Sequence, residues 1–74
     1  MSDGDRKRSL TIAGHRTSIS LEPEFWDALH AAAKEDGRSL AALVSEIDGA
    51  RGSRNLSSAI RVWLLERIKA SARP

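Results

Sequence analysis

Residues 16–23 read Arg-Thr-Ser-Ile-Ser-Leu-Glu-Pro, and the alternation in this stretch decides the fold. Thr17, Ile19 and Leu21 fall on one side of an extended chain, Arg16, Ser18 and Ser20 on the other. Threonine and isoleucine suit a pleated surface, and Pro23 closes the run because it cannot donate to a ladder. A short strand with one apolar and one polar face is expected here. Upstream, Leu10 and Ile12 alternate with Ser9 and Thr11 in the opposite phase, so one continuous strand would put them on the wrong face. Either Gly14 marks a bulge, or Gly14-His15 is a two-residue hairpin turn that pairs Ile12 with Thr17 and Leu10 with Ile19. The sequence leaves both open.

Downstream the period changes to that of helices. Pro23 suits a first helical turn, and Glu24 and Asp27 suit its positive end. Phe25, Ala28, Leu29 and Ala32 recur at helical spacing and are expected to face the core. Gly37 fits the left-handed position beyond a helix end, and Ser39 fits the N-cap of a second helix. Leu40, Leu43, Val44 and Ile47 follow at i, i+3, i+4 and i+7. The stretch 48–54, Asp-Gly-Ala-Arg-Gly-Ser-Arg, reads as a loop. Asn55 or Ser57 then caps a third helix over 56–70. Leu56, Ile60, Trp63 and Leu64 form its main apolar face, while Val62 and Leu65 project elsewhere, leaving it apolar nearly all round.

Residues 1–7, Met-Ser-Asp-Gly-Asp-Arg-Lys, lack periodicity and read as a flexible basic arm before a single domain over 8–74. The class is mainly α with a short N-terminal β-strand. A chain of 74 residues without cysteine has a thin core and no disulfide staple, which points to oligomerisation as a source of stability. His15 and His30 are the only histidines, so no metal site and no cofactor is expected. No nucleophile elbow, phosphate loop or zinc-protease motif is present, and an enzyme is not expected. No apolar run approaches the ~20 residues that cross a bilayer. The polar stretch from Met1 to Leu10 does not resemble a secretory signal, so a cytoplasmic protein without membrane contact is expected.

The charge is unevenly placed. Arg6, Lys7, Arg8 and Arg16 outweigh Asp3 and Asp5 at the N-terminal end, and six cations face only Glu66 beyond residue 48. Between them, seven carboxylates oppose Lys34 and Arg38. Basic ends around an acidic middle suit a polyanionic partner.

The order strand, helix, Glu35-Asp-Gly-Arg-Ser-Leu40, helix resembles the ribbon-helix-helix family. The residues that carry it are Ser18-Ile-Ser-Leu-Glu-Pro23, Leu29, the 35–40 stretch and Ser45-Glu-Ile47. Gly14-His-Arg-Thr-Ser18, Phe25-Trp26 and Asn55-Leu-Ser-Ser-Ala-Ile-Arg61 are similar to a bacterial subfamily with an appended third helix. The resemblance implies an intertwined homodimer, or a dimer of dimers. Its antiparallel β-ribbon takes one strand from each chain and enters the major groove of double-stranded DNA. It also implies transcriptional regulation.

Arg16, Ser18 and Ser20 then point to base edges. Arg38 and Ser39, at the start of the second helix, are the implied phosphate contact. His15 and the basic cluster Arg6, Lys7 and Arg8 complete the expected DNA-binding set. Two departures stand out: Glu22 is an extra residue before Pro23, and the groove-facing side chains are short. The alternative is an antitoxin-like or scaffold module of the same fold, with a protein partner and weak or no DNA binding.

Overall fold

The computed structural model describes residues 6–72. A β-hairpin, β1 (Arg6–Ile12) and β2 (His15–Leu21), precedes three helices, α1 (Pro23–Glu35), α2 (Leu40–Ala50) and α3 (Leu56–Ser71). The hairpin alternative is therefore the one adopted, with its turn at Ala13-Gly14 rather than Gly14-His15. Both residues take positive φ, 51° and 83°, as a two-residue turn matching the strand twist requires. Ile12 pairs with His15, Leu10 with Thr17, Arg8 with Ile19 and Arg6 with Leu21. Sliding the turn by one residue moves each partner by two, so every side chain keeps its expected face.

The two-stranded ribbon is thus closed within one chain, its second strand supplied by β1. Arg6 and Lys7, assigned above to the arm, belong to that strand. Strand pairing there runs through the backbone and needs no apolar alternation, which is why periodicity missed it. Residues 1–5 lie outside the described residues.

Each helix is bounded by local chemistry. Pro23 opens α1, where the N–H groups of Phe25 and Trp26 donate to the Glu22 carbonyl. At its end Gly37 takes φ 65°; Gly37 N–H donates to Lys34 O and Arg38 N–H to Ala33 O. This pair of bonds closes the helix and turns the chain into α2. The Ser39 hydroxyl accepts from Ala42 N–H at 3.1 Å, and Asn55 Oδ1 accepts from Ser58 N–H at 2.8 Å. Asn55, not Ser57, is therefore the cap of α3.

The core lies between the inner face of the hairpin and the helices. Ile12, Ile19 and Leu21 meet Trp26 and Leu29 of α1, Leu43, Val44 and Ile47 of α2, and Ile60 and Leu64 of α3. On α1 the buried face differs from the expected one. Trp26 is 1% exposed, whereas Phe25 and Ala28 are half-buried and turn toward α3. An indole is buried at small cost when its N–H finds an acceptor, and Trp26 Nε1 donates to the Arg6 carbonyl at 2.9 Å. Among the described residues no buried side-chain polar atom lacks a partner.

Candidate nucleic-acid interface

The register sorts the hairpin into two faces. Lys7, Ser9 and Thr11 of β1 lie beside Ser20, Ser18 and Arg16 of β2, all pointing away from the helices. Five of the six are exposed, Ser20 is half-buried, and none is acidic. Ser9 and Ser18 form the centre, with Lys7 and Arg16 at diagonally opposite ends. From Lys7 to Thr11 the strand runs about 13 Å, at ~3.3 Å per residue. The expected Arg16, Ser18, Ser20 and Lys7 are thereby brought together on one surface. Ser9 and Thr11 join them; sequence reasoning missed both, although their alternation with Leu10 and Ile12 carried the signal.

Arg6, Arg8 and His15 lie on the opposite, helix-facing side of the ribbon, where they remain exposed. The Arg8 guanidinium stands 5.1 Å from the centre of the Trp26 ring, a cation held over an aromatic face. These three side chains flank the outward surface rather than belonging to it.

Ser39 sits at the N-terminus of α2 as expected, its oxygen already occupied as the cap. Arg38 is engaged by carboxylates, Glu46 and Asp36. Asp36 is in turn held by Arg67 at 2.9 Å, which also reaches Glu35 at 2.9 Å. The hydrogen bond from Arg67 holds the Asp36 carboxyl below the usual carboxylate range against a smaller opposing effect of desolvation, and the charges of Arg67 and Arg38 act in the same direction. The same contacts, the Asp36 hydrogen bond first, raise the Arg67 guanidinium further. Arg61 binds Glu22 at 2.9 Å, so the extra carboxylate at the ribbon's end is paired with a helix cation. Arg51 binds Asp48 at 2.6 Å.

A division of charge follows. Arg38, Arg51, Arg61 and Arg67 of the helical layer are each matched to carboxylates. Among the described residues Arg6, Lys7, Arg8 and Arg16 of the ribbon are in no ion pair. The acidic middle of the sequence is largely spent on internal pairing, and the unneutralised positive charge is concentrated on the hairpin. No group of three metal-ligating side chains occurs among the described residues, and no helix there is long and apolar enough to cross a membrane.

The family model described as a ribbon-helix-helix domain matches residues 5–68, covering the hairpin and nearly all of the three helices. No curated protein and no solved structure matches the chain.

Proposed function

Since the chain belongs to the ribbon-helix-helix family, whose domains generally bind DNA and dimerise, we propose that it is a homodimeric double-stranded DNA-binding regulator of the bacterial cytoplasm. The outward face of its hairpin lies in the major groove. The observation that carries this reading is the charge division: the ribbon cations lack carboxylate partners while four helix arginines have them. A two-stranded ribbon fits a groove ~12 Å wide. The face offers two cations, three serines and a threonine, and hydroxyls bond to several bases with little discrimination, whereas an arginine on guanine discriminates by about 1–3 kcal/mol. Sequence preference is accordingly modest and depends mainly on Arg16 and Lys7.

Arg6, Arg8 and His15 at the flanks, and the first turn of α2 at Ser39, serve as phosphate contacts that position the ribbon. Arg38 contributes to that turn only to the extent that its carboxylate partners release it. The reading involves no catalysis, metal or cofactor.

Fluorescence anisotropy on a labelled duplex, read across a salt series, tests the proposal. Binding that weakens steeply with salt, and weakens further in Lys7→Ala and Arg16→Ala, is the expected result. Absence of binding at low salt would instead leave a protein-interaction module of the same fold.

A further inference from the structure

Helices α1 and α3 run side by side in the same direction. Arg61 reaches Glu22 and covers Phe25 at one end, at 5.6 Å from the ring centre, and Arg67 reaches Glu35 and Asp36 at the other. Between these clasps the outer surface is apolar. Phe25 and Ala28 of α1 and Val62, Leu64, Leu65 and Ile68 of α3 line an open groove of about 440 Å³. Leu65 and Ile68, 54% and 58% exposed, are the exposed large hydrophobic residues of the described chain, and both stand on this one face. They form a ridge beside the groove that Phe25 and Ala28 border.

We infer that this α1/α3 face is where a second copy of the chain docks, each copy laying its Leu65–Ile68 ridge in the other's groove. The inference rests on the proposed function only in that two copies act together. Three features support a second copy as the occupant. The hairpin is already closed within the chain, so strand exchange is not needed to complete a ribbon. Ridge and groove lie on one surface, which is the requirement for a two-fold interface, where the same patch must complement itself. The rim charges also match in one orientation. Glu24 lies at the Arg61 end and Lys69 beyond Ile68 at the other, and neither is in an ion pair among the described residues. Antiparallel docking brings Lys69 of each copy to Glu24 of the other, whereas parallel docking would set like charges together. A ridge of two exposed side chains with its half-buried borders is smaller than the ~20–30 residues a side of a standard interface. Association is therefore weak and concentration-dependent.

Sedimentation equilibrium of the intact chain over a range of micromolar concentrations provides the test, with DNA binding measured separately on the same preparations. The wild type should pass from monomer to dimer as concentration rises. Leu65→Glu and Ile68→Glu, at exposed positions, should each weaken dimerisation by about tenfold or more with unchanged melting temperature. Lys69→Glu should weaken it and the double variant Lys69→Glu/Glu24→Lys should restore it. The chain has no native cysteine, so Ser18→Cys reports selectively on pairing between ribbons and should not form a disulfide-linked dimer. A wild type that stays monomeric, a dimer insensitive to both glutamates, a charge exchange without rescue, or ready linkage through Ser18→Cys would each overturn the assignment. Loss of DNA binding with dimerisation intact would count against the proposed function and not against this face.

Discussion

The indole N–H of Trp26 donates to the carbonyl oxygen of Arg6 at 2.9 Å, joining the first residue of β1 to the first turns of α1 across 20 positions of sequence. The bond makes the hairpin and the helical layer one unit, because β1 has few apolar side chains with which to hold itself down. Arg8 adds a cation over the same ring. Trp26 thus serves at once as core residue, hydrogen-bond donor and platform.

Replacing it separates these roles. Trp26→Phe retains most of the burial and loses the donor, at a cost of about 1 kcal/mol for the bond plus the packing lost with the smaller ring. Hydrogen exchange should show the β1 amides opening more readily than those of α2. Trp26→Ala costs about 3–5 kcal/mol, a large share of the stability of a domain this small, and should leave the chain largely unfolded in urea melts. Equal protection of β1 and α2 in Trp26→Phe would show that the indole bond does not anchor the strand.

The turn offers a stabilising change. Ala13 holds φ 51°, a conformation that costs an L-residue with a Cβ about 1–2 kcal/mol. Asparagine tolerates it, and Asn-Gly is the favoured pair for this turn. Ala13→Asn should gain about 0.5–1 kcal/mol and raise the melting temperature by several degrees, since ~1 kcal/mol corresponds to about 4–8 °C in a domain of this size. A lower melting temperature would mean that the turn is not at 13–14.

How far the sequence announced all this depends on the kind of signal. The faces of β2, the Gly37 helix end, the Ser39 cap and the buried stripe Leu43, Val44 and Ile47 were legible because each is dictated within a few residues. The turn slid by one because Ala13 carries no mark of a left-handed residue; its conformation is imposed by the strands it joins. Phe25 and Trp26 are adjacent aromatics, and helical spacing cannot say which points inward; the Arg6 carbonyl decides it from 20 residues away. The same holds for Glu22, whose partner Arg61 lies 39 positions on. Of the interface, Arg16, Ser18 and Ser20 followed from alternation. Ser9 and Thr11 required the knowledge that β1 is a strand at all.

Acid should loosen the join between α1 and α3. Arg67 holds Asp36 below the usual carboxylate range, and a carboxyl with a depressed native pKa stabilises the fold above its unfolded value, near 3.9. That contribution is complete above about pH 5 and is lost as the pH falls through the native value. Asp36→Asn should therefore be less stable than the wild type at neutral pH, and the difference should shrink below about pH 4. Because the group is exposed, the effect is small and should fade in high salt. A difference that grew toward low pH would reverse the sign of the coupling.

The outward face and the first turn of α2 can be separated by comparing three variants. Arg16 is exposed, in no ion pair among the described residues, and on the side of β2 away from the core. Arg16→Ala should leave the melting temperature nearly unchanged while weakening a preferred DNA site more than a random one. Ser39→Ala acts differently: it removes the acceptor of the Ala42 N–H, costing about 0.5–2 kcal/mol of stability. It should weaken binding to all sequences about equally, since a phosphate contact carries no base information. Arg38→Ala frees Glu46 and one partner of Asp36. Its exposed ion pairs contribute little to stability, so a small melting shift with little change in affinity is expected. The salt series adds an independent reading: each phosphate contact removed should reduce the log–log slope by about 0.9. Lys7→Ala, at the opposite corner of the face from Arg16, should show that reduction if it meets the backbone, and a loss confined to the preferred site if it meets a base. If Arg16→Ala melted the protein while Ile19→Ala did not, the two faces of β2 would be reversed, and Thr17 would take the place of Ser18 in the groove.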